Sequence, residues 1–388
     1  MQTSFKEKDK AYIANTYGRF DLQIARGEGS ILYDEEGKEY IDLATGIAVN
    51  TFGVNDEKWK EAVIKQLSTV QHTSNLYYSE PCILLAEALC ERTGAKKVFF
   101  SNSGAEANEC AIKVARKWAH DTKGEEYSYI VTLKNSFHGR TLATLSATGQ
   151  DGFHTHFAPF VGGFLYAEAN DAENLRTLLD EYKVAAVLIE LVQGEGGVKA
   201  LDKAYVKEVE RLCREKDVLL MIDEVQTGNG RCGALYAYQK YGVSPDVVTT
   251  AKGLAGGLPL GATMMFARTE NTLTAGTHGS TFGGNPVACA GALSVLSRID
   301  DGLLKEVEEK SAYIFEALQN AAGVKSVSGL GLMIGVETEK PVDEVLKACM
   351  ANGVLPIKAK NKLRLLPALN IPFATLKRAV ETLKECLK

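Results

Sequence analysis

The sequence predicts an α/β fold, with a mostly parallel sheet covered by helices on both faces and a smaller α+β domain beside it. Between about residues 97 and 266, short and nearly continuous apolar segments alternate with helical ones, which is typical of parallel strands buried on both faces. Residues 22–42 instead alternate apolar and polar around glycines and therefore predict hairpins. After about residue 295 the charge rises, and amphipathic helices separate short strands.

The large sheet is predicted from segments that follow one another as strand, loop and helix. We predict strands at 97–100, 127–132, 184–189, 218–222, 262–266 and from 247 to the vicinity of Lys252, with helices at 105–120, 205–216 and 286–299. Sheets of this kind place ligands beyond the carboxyl ends of their strands. Four residues fall at or just past those ends: Ser103, Glu190, Asp223 and Lys252.

The smaller domain is predicted from both ends of the chain. Its C-terminal part contains predicted helices at 305–319, 342–351 and 376–387 and predicted strands at 324–327, 333–337 and 362–366. The length of 388 residues suits one large or two ordinary domains. We expect residues 1–50 to belong to the small domain, 51–295 to form the large domain, and 296–388 to complete the small one.

The composition is that of a soluble globular protein, with 45% hydrophobic and 24% charged residues. The net charge of -5 argues against a nucleic acid or an anionic membrane as the main partner. Apolar runs stay shorter than the ~18–20 residues that span a bilayer. Residues 1–10 are polar and carry both charge signs, unlike a signal or transit peptide, so we expect a cytoplasmic protein.

The cysteines and histidines predict neither disulfides nor a metal site. The eight cysteines are scattered without a C-x-x-C pair, which indicates free thiols in a reducing compartment. The six histidines form no plausible set of metal ligands. His154 and His156 lie beside Phe153 and Phe157, which favours a loop.

A lysine and an aspartate at the ends of two predicted strands indicate a cofactor. Lys252 ends the apolar segment that begins at residue 247, and Asp223 directly follows the strand at 218–222. A buried lysine can form a Schiff base with the aldehyde of pyridoxal phosphate (PLP), and a buried carboxylate can keep its pyridine nitrogen protonated. Gln226 follows three residues later and could reach the phenolic oxygen of the same ring. A solvated lysine and a turn-capping acid are the structural alternatives.

Two segments offer a site for the phosphate. Residues 101–109 lead from a strand into a helix through serines and a glycine, and free N–H groups at a helix start bind anions. The alternative is a capping box between Ser103 and Glu106. Residues 278–286 carry hydroxyls and glycines just before a helix; they could bind another side of the phosphate or only cap that helix.

Two more segments offer groups for the ring and the substrate. Residues 135–141 contain Phe137, whose ring can stack on a pyridine, and Arg140, whose guanidinium can bind a carboxylate. Residues 190–197 place two acids around a glycine-rich turn, where the backbone can approach a ligand closely. Each segment is also compatible with an ordinary loop.

Residues 228–233 match the G-x-G-x-x-G pattern of dinucleotide-binding proteins, but the context argues against that function. The pattern requires a strand that leads straight into the first glycine. Here residues 223–227 intervene, and two of them are acids that would repel a pyrophosphate.

Taken together and in this order, the segments resemble the class III PLP-dependent aminotransferases, which have PLP fold type I. The resemblance extends from about Tyr17 to the C-terminus and implies a seven-stranded, mostly parallel sheet in the large domain. Residues 72–78 and Gly46 resemble the branch that acts on acetylornithine. Ornithine δ-aminotransferases carry a bulky aromatic residue at the position of Gly46, and a small residue could leave room for an acylated α-amino group.

The resemblance also implies roles for individual residues, with Lys252 and Asp223 as the catalytic pair. It implies that the cofactor is bound by Ser103, Gly104, Ala105, Phe137, Asp223, Val225, Gln226, Lys252 and, from the other subunit of a homodimer, Thr281. It implies that substrates are bound by Tyr17, Arg140, Glu195, Ser280 and Arg364. Arg364 matches the arginine for the α-carboxylate of glutamate, and Glu195 matches the acid that masks it when acylornithine is the donor.

The implied reaction moves the terminal amine of N²-acetyl-L-ornithine to 2-oxoglutarate, a step of arginine biosynthesis. The chain departs from the family pattern at residues 53–56, where Gly-His-x-His-Pro is usual, and at Leu191, where proline is usual. Other donors stay open: succinylornithine, succinyldiaminopimelate, ornithine, 4-aminobutyrate or an acylated lysine precursor. An aminomutase or decarboxylase of the same fold, or a non-catalytic nucleotide-binding protein, are further alternatives.

Overall fold

The computed structural model describes residues 5–388 of the chain. Its strands are β1 (Ile24–Glu28), β2 (Ile31–Asp34), β3 (Glu39–Asp42), β4 (Lys97–Ser101), β5 (Tyr129–Leu133), β6 (Phe164–Ala167), β7 (Val184–Ile189), β8 (Val192–Gln193), β9 (Lys199–Ala200), β10 (Leu219–Asp223), β11 (Val247–Thr250), β12 (Gly261–Met265), β13 (Val324–Leu330), β14 (Met333–Thr338), β15 (Val354–Leu355), β16 (Ile357–Ala359) and β17 (Lys362–Leu365). Its helices are α1 (Phe5–Tyr12), α2 (Thr45–Ala48), α3 (Glu57–Leu67), α4 (Glu80–Thr93), α5 (Gly104–Thr122), α6 (Leu142–Ala147), α7 (Ala172–Glu181), α8 (Lys203–Glu215), α9 (Ala237–Tyr241), α10 (Pro286–Leu296), α11 (Asp301–Gln319), α12 (Val342–Ala351) and α13 (Phe373–Leu387).

A seven-stranded sheet forms the centre of the molecule, in the order β4-β12-β11-β10-β7-β5-β6. β12 runs antiparallel to both of its neighbours, whereas the other adjacent pairs are parallel. Every residue of β7 and β10 is buried, because helices cover both faces of these central strands. The predicted α/β fold with a mostly parallel seven-stranded sheet is therefore confirmed.

The smaller α+β part is built from both ends of the chain, as predicted. β15 pairs in parallel with β3, which adds a C-terminal strand to the N-terminal hairpins. β13, β14, β17 and β16 form a second four-stranded sheet. A separate apolar core joins Ile41 and Leu43 from the N-terminal part to Leu363 and Val380 from the C-terminal part. On this basis we propose the predicted limits, 1–50, 51–295 and 296–388, as the domain boundaries.

Several elements were not predicted from the sequence. The seventh strand, β6, is a four-residue edge strand that is mostly half-buried, so its apolar pattern is too short to separate it from a loop. The helices α3, α4 and α7 were also missed. The predicted helix at 286–299 ends earlier, at Leu296, because Ser297 takes the C-cap position.

Residues 5–388 contain no helix that is both long enough and apolar enough to cross a membrane. All eight cysteines are free thiols, as the sequence predicts, and six of them are buried. In the same described part of the chain, no group of three or more histidines, cysteines and acids is arranged to hold a metal ion.

Candidate active site

Lys252 and Asp223 face one cavity at the carboxyl edge of the large sheet. β10 ends at Asp223 and β11 ends two residues before Lys252, and these neighbouring strands are parallel. Their ends therefore meet at the same edge. The cavity has a volume of about 240 Å³. It is lined by Gly104, Ala105, Asn108, Phe137, His138, Gly139, Arg140, Glu190, Asp223, Val225, Gln226 and Lys252.

The environment of Lys252 makes its amine a weaker base than an ordinary lysine. Burial lowers the pKa of Lys252 to about 8, against the opposing attraction of Glu195. Charge repulsion from Arg364 contributes to this lowering. The backbone of Lys252 has a φ of 45°, in the left-handed region that non-glycine residues rarely adopt. A neutral amine is therefore accessible near physiological pH, as nucleophilic lysines require.

Three hydrogen-bonding groups contact the Asp223 carboxylate. Its side chain is 4% exposed. Oδ2 accepts from Asn108 Nδ2 at 2.7 Å and lies 2.8 Å from His138 Nδ1, while Oδ1 accepts from the Val225 N–H at 3.0 Å. These contacts compensate the burial of a carboxylate and leave it facing the cavity.

Asn108 and His138 both contact the Asp223 carboxylate, and the sequence analysis included them within motif ranges without assigning them a role. Asn108 also donates to the His138 carbonyl at 2.9 Å and accepts from Thr249 Oγ1 at 2.7 Å, so it joins α5 to the loop after β5 and to β11. The His138 side chain is fully buried, and its Nε2 has no hydrogen-bond partner in the described chain. The sequence offered only a weak indication: His138 directly follows Phe137, and Asn108 lies three residues after Ala105, both of which were predicted to bind the cofactor.

The start of α5 combines both interpretations given to residues 101–109. Ser103 caps the helix, because its Oγ accepts from the Glu106 N–H at 3.2 Å. The second bond of a capping box is displaced by one residue, since Glu106 Oε2 accepts from the Asn102 N–H at 2.8 Å and not from that of Ser103. The N–H groups of the first helical turn, at Gly104 and Ala105, have no acceptor within the helix and line the cavity. A Cβ on Gly104 would lie only 2.6 Å from Val225 Cγ1, so glycine allows this close approach.

Phe137 and Arg140 line the cavity on its open side. Glu190 Oε2 accepts from the Phe137 N–H at 2.9 Å, which fixes the backbone that carries the ring. Burial raises the pKa of the Glu190 carboxyl to about 7, opposed by the attraction of His138 and assisted by the repulsion of Asp223. The Arg140 guanidinium lies 4.4 Å from the centre of the Phe153 ring.

Glu195 and Arg364, predicted as a functional pair, form an ion pair. Arg364 Nη1 donates to Glu195 Oε1 at 2.6 Å and to Gln226 Oε1 at 3.1 Å. The Arg364 side chain is 3% exposed, whereas that of Glu195 is 30% exposed. Gln226 therefore bridges the cavity and this arginine.

Six of the predicted site residues do not line the cavity. Ser103 caps α5, and Glu195 and Arg364 form the ion pair next to Gln226; the other three lie outside the cavity. Tyr17 is 70% exposed on the segment before β1. In the loop before α10, Ser280 is half-buried and Thr281 is exposed. Ser280 nevertheless lies near the start of α5, because its Oγ accepts from Asn102 Nδ2 at 3.3 Å. The roles implied for these three residues stay predictions.

The comparisons with known proteins agree with this geometry. The family model described as "Aminotransferase class-III" matches residues 12–387. The chain belongs to the class III aminotransferases. It is 50% identical to an acetylornithine aminotransferase of Haemophilus ducreyi over 98% of both chains, and 45% identical to one of Aquifex aeolicus over 97% of this chain and 100% of that protein.

Solved structures of the class share the fold over nearly the whole chain. An ornithine aminotransferase from Toxoplasma gondii ME49 superposes with a TM-score of 0.95 at 31% identity, covering 99% of this chain and 94% of the other. An N-acetylornithine aminotransferase from Stenotrophomonas maltophilia K279a has a TM-score of 0.83 at 34% identity, covering 98% and 97%. Class III aminotransferases are PLP-dependent transaminases, so the predicted enzyme class and cofactor are confirmed.

The residues present fit this cofactor. The cavity places an amine of lowered pKa opposite a carboxylate held by three donors, which suits an aldehyde and a protonated ring nitrogen. The start of α5 supplies N–H groups beside Gly104, where any side chain would meet Val225, and a phosphate suits that position.

Proposed function

We propose that this class III aminotransferase takes the terminal amine of N²-acetyl-L-ornithine and delivers it to 2-oxoglutarate. The names of the relatives that are 41–50% identical over nearly the full chain support this choice of donor. The observation that carries it is the buried Arg364 beside Lys252, paired with the more exposed Glu195. An enzyme that alternates between an ω-amine donor and an α-keto acid needs an arginine that can be masked and unmasked.

Glu195 and Arg364 would provide two states of one subsite. In the paired state Glu195 neutralises the Arg364 guanidinium, and the subsite accepts a donor that has no α-carboxylate next to Arg364. When 2-oxoglutarate binds, its carboxylate replaces Glu195 in a bidentate pair, for which arginine is suited. Glu195 can move away because its side chain is already 30% exposed.

The proton transfers would be carried by Lys252. Its pKa of about 8 allows the amine both to accept and to donate a proton near neutral pH. Bound PLP supplies the electron sink that makes the amine-bearing carbon acidic. Asp223, which contacts Asn108 and His138, would stabilise a positive charge on the pyridine nitrogen of the cofactor. That charge would make the cofactor a better electron sink.

Room for an acyl group is supported by the surroundings of Gly46. A Cβ at this position would lie 3.8 Å from both Val49 Cβ and Asn50 Nδ2, which is ordinary van der Waals contact without overlap. We propose that the acyl group lies on this side. Arg140 lines the cavity and would bind the α-carboxylate of the donor, with Tyr17 and Ser280 completing the subsite.

The test is a comparison of amine donors with 2-oxoglutarate, in which glutamate formation is measured. We expect kcat/KM for N²-acetylornithine to exceed that for ornithine and 4-aminobutyrate at least about tenfold, because a built subsite discriminates by that factor or more. A Lys252→Ala variant should lose turnover and also the visible absorbance of lysine-bound cofactor. A higher kcat/KM for ornithine would contradict the proposed donor but would remain consistent with a class III aminotransferase.

We further propose that the active unit is a homodimer in which Thr281 of one subunit contacts the phosphate bound by the other. An exposed apolar surface supports this: Leu76, Tyr77, Tyr78 and Phe282 are 88%, 71%, 97% and 61% exposed. Asn75 Nδ2 donates to the carbonyls of Ser280 and Gly283, so the two segments form one surface. Exposed aromatic patches of this kind mark protein interfaces.

Hybrid dimers test this arrangement. Lys252→Ala and Thr281→Asp subunits should each be inactive alone, the second because its carboxylate would repel a phosphate. Random mixing of the two after dissociation should restore about one quarter of wild-type activity, because half of the dimers then contain one intact site of two. No recovery in hybrids shown by native mass spectrometry to have formed would contradict a shared site.

A further inference from the structure

The glycine-rich segment at residues 228–233 has no part in the reaction as described so far. It belongs to the loop after β10, where the Gly233 N–H donates to the Gly230 carbonyl at 3.1 Å and closes a tight turn. The second residue of the segment, Asn229, carries a polar side chain at a position where the glycine pattern leaves the residue type free. The contacts of this side chain lead to the strand end that carries Lys252.

Asn229 is buried and donates two hydrogen bonds to the end of β11. The residue is 3% exposed. Its Nδ2 donates to Thr250 Oγ1 at 3.0 Å and to the Ala251 carbonyl at 3.1 Å. A carbonyl can only accept, so it fixes which end of the amide faces β11; a rotated amide would place Oδ1 against another acceptor. Ala251 immediately precedes Lys252.

The carbonyl that Asn229 contacts also closes the turn that carries Lys252. The Leu254 N–H donates to the Ala251 carbonyl at 2.9 Å, so Lys252 occupies the second position of a four-residue turn. Lys252 has a φ of 45° there, in the left-handed region. This conformation costs energy in a residue with a Cβ, so the surrounding contacts must hold it.

A second side chain holds the other end of the same turn. Thr51 Oγ1 donates to the Gly253 carbonyl at 2.7 Å. A Cβ on Gly253 would lie 2.6 Å from Thr51 Oγ1 and 3.5 Å from Asn229 Cβ, so the two side chains pack around this glycine. The carbonyls one residue before and one residue after Lys252 are therefore each bound by a buried polar side chain.

The direction of the Lys252 side chain depends on this backbone. A change of φ from a positive to the ordinary negative value rotates Cβ about the N–Cα bond, and the amine would leave its place in the cavity. Asn229 is itself at a φ of 57°, which asparagine adopts more readily than most residues. The loop can therefore hold its amide against β11 at little cost of its own.

We propose that Asn229 is a positioning residue for Lys252: its amide holds the Ala251 carbonyl, and with it the left-handed turn that directs the Lys252 amine into the cavity. Thr51 holds the opposite end of the turn in the same way. The inference rests on the role proposed above for Lys252. It adds a residue that does not line the cavity and acts only through the backbone.

The test uses Asn229→Gly, which removes the amide but accepts the positive φ of this position. In the cofactor-free enzyme, acetylation of Lys252 by acetic anhydride is followed against pH by mass spectrometry, because only the neutral amine reacts. Burial lowers the pKa of Lys252 to about 8 in the wild type. A released turn lets water reach the amine, so the midpoint of labelling should move upward by at least about half a pH unit.

The PLP-loaded enzyme gives a second readout. We expect Asn229→Gly to lower kcat at least about tenfold, because a small displacement of a reacting group costs factors of this size. KM for 2-oxoglutarate should change less than about threefold, because Asn229 lies outside the cavity. Asn229→Ala removes the same amide and keeps the Cβ beside Gly253, and Thr51→Val removes the hydroxyl at the other end. Both should change the two readouts in the same direction.

A control variant separates positioning from a general loss of packing. Thr250→Val removes one acceptor of the Asn229 amide but leaves the bond to the Ala251 carbonyl, so the labelling midpoint should stay as in the wild type. Asn170→Gly replaces an exposed asparagine whose φ is also positive, 63°, and should leave both readouts unchanged.

The outcomes distinguish this inference from the proposed function. An unchanged labelling midpoint in folded Asn229→Gly and Asn229→Ala would overturn the positioning role, as would an equal shift in Thr250→Val. The charged groups that act on the amine are intact in all these variants, so a shift cannot come from them: Glu195, Arg364, Asp223 and Glu190. Failure of the proposed function would instead show as full turnover in Lys252→Ala.

Discussion

The contact between Gly104 and Val225 predicts that a single methyl group at the start of α5 weakens cofactor binding. In Gly104→Ala the new Cβ would lie 2.6 Å from Val225 Cγ1 and 2.9 Å from Cγ2. Favourable carbon contacts need about 3.5–4.0 Å, so one side must move by roughly 1 Å. Val225 cannot retreat freely, because its N–H donates to Asp223. Overpacking of this kind costs about 1–3 kcal/mol, which corresponds to about 5- to 150-fold weaker PLP binding.

The assay is a PLP titration of the cofactor-free enzyme, followed by the absorbance of the bound cofactor. Gly152→Ala is the matched control, because a Cβ there meets no atom within 4 Å. Val225→Ala alone should weaken PLP modestly, through the lost contact with the ring. The double variant Gly104→Ala/Val225→Ala should bind PLP more tightly than Gly104→Ala, because the overlap is gone. The reasoning is refuted if Gly104→Ala binds like wild type or if the double variant shows no recovery.

Three further outcomes are expected. In the cofactor-free enzyme, the pKa of Lys252 is lowered from 10.5 to about 8, so between these pH values only the unfolded chain holds the extra proton. The melting temperature of the wild type, compared with that of Lys252→Met, should therefore rise as the pH increases through this window. A fall would contradict the lowered pKa. Asp223→Asn should reduce kcat at least about a hundredfold in a transaminase assay, and a loss below tenfold would exclude a charge role. Glu195→Gln should leave Arg364 permanently unmasked. The ratio of kcat/KM for glutamate to kcat/KM for N²-acetylornithine should therefore rise about tenfold, and an unchanged ratio would argue against masking.

The central residues of the site were predictable because they follow from local sequence. An apolar strand that ends in a charged residue places that residue at the ligand edge of a parallel sheet, and this identified Asp223 and Lys252 before any contact was known. The start of α5 was predictable for the same reason, since a capping serine and a glycine mark a helix terminus. The pairing of Glu195 with Arg364 rested on the family resemblance, and the structure places the two in contact.

Other features depend on contacts between distant segments. The triple support of Asp223 by Asn108, His138 and Val225 joins three segments that the sequence separates by up to 115 residues. The edge strand β6 was missed because a four-residue strand that is mostly half-buried carries little periodic signal.

The sequence by itself determined the fold class, the cofactor and the lysine–aspartate pair, because hydrophobic periodicity and strand ends are local properties. Only the tertiary structure decided how the charges are compensated. It lowered the pKa of Lys252 through burial and paired Arg364 with Glu195. These outcomes depend on which groups meet after folding, since the energy of a buried charge is set by its neighbours in space.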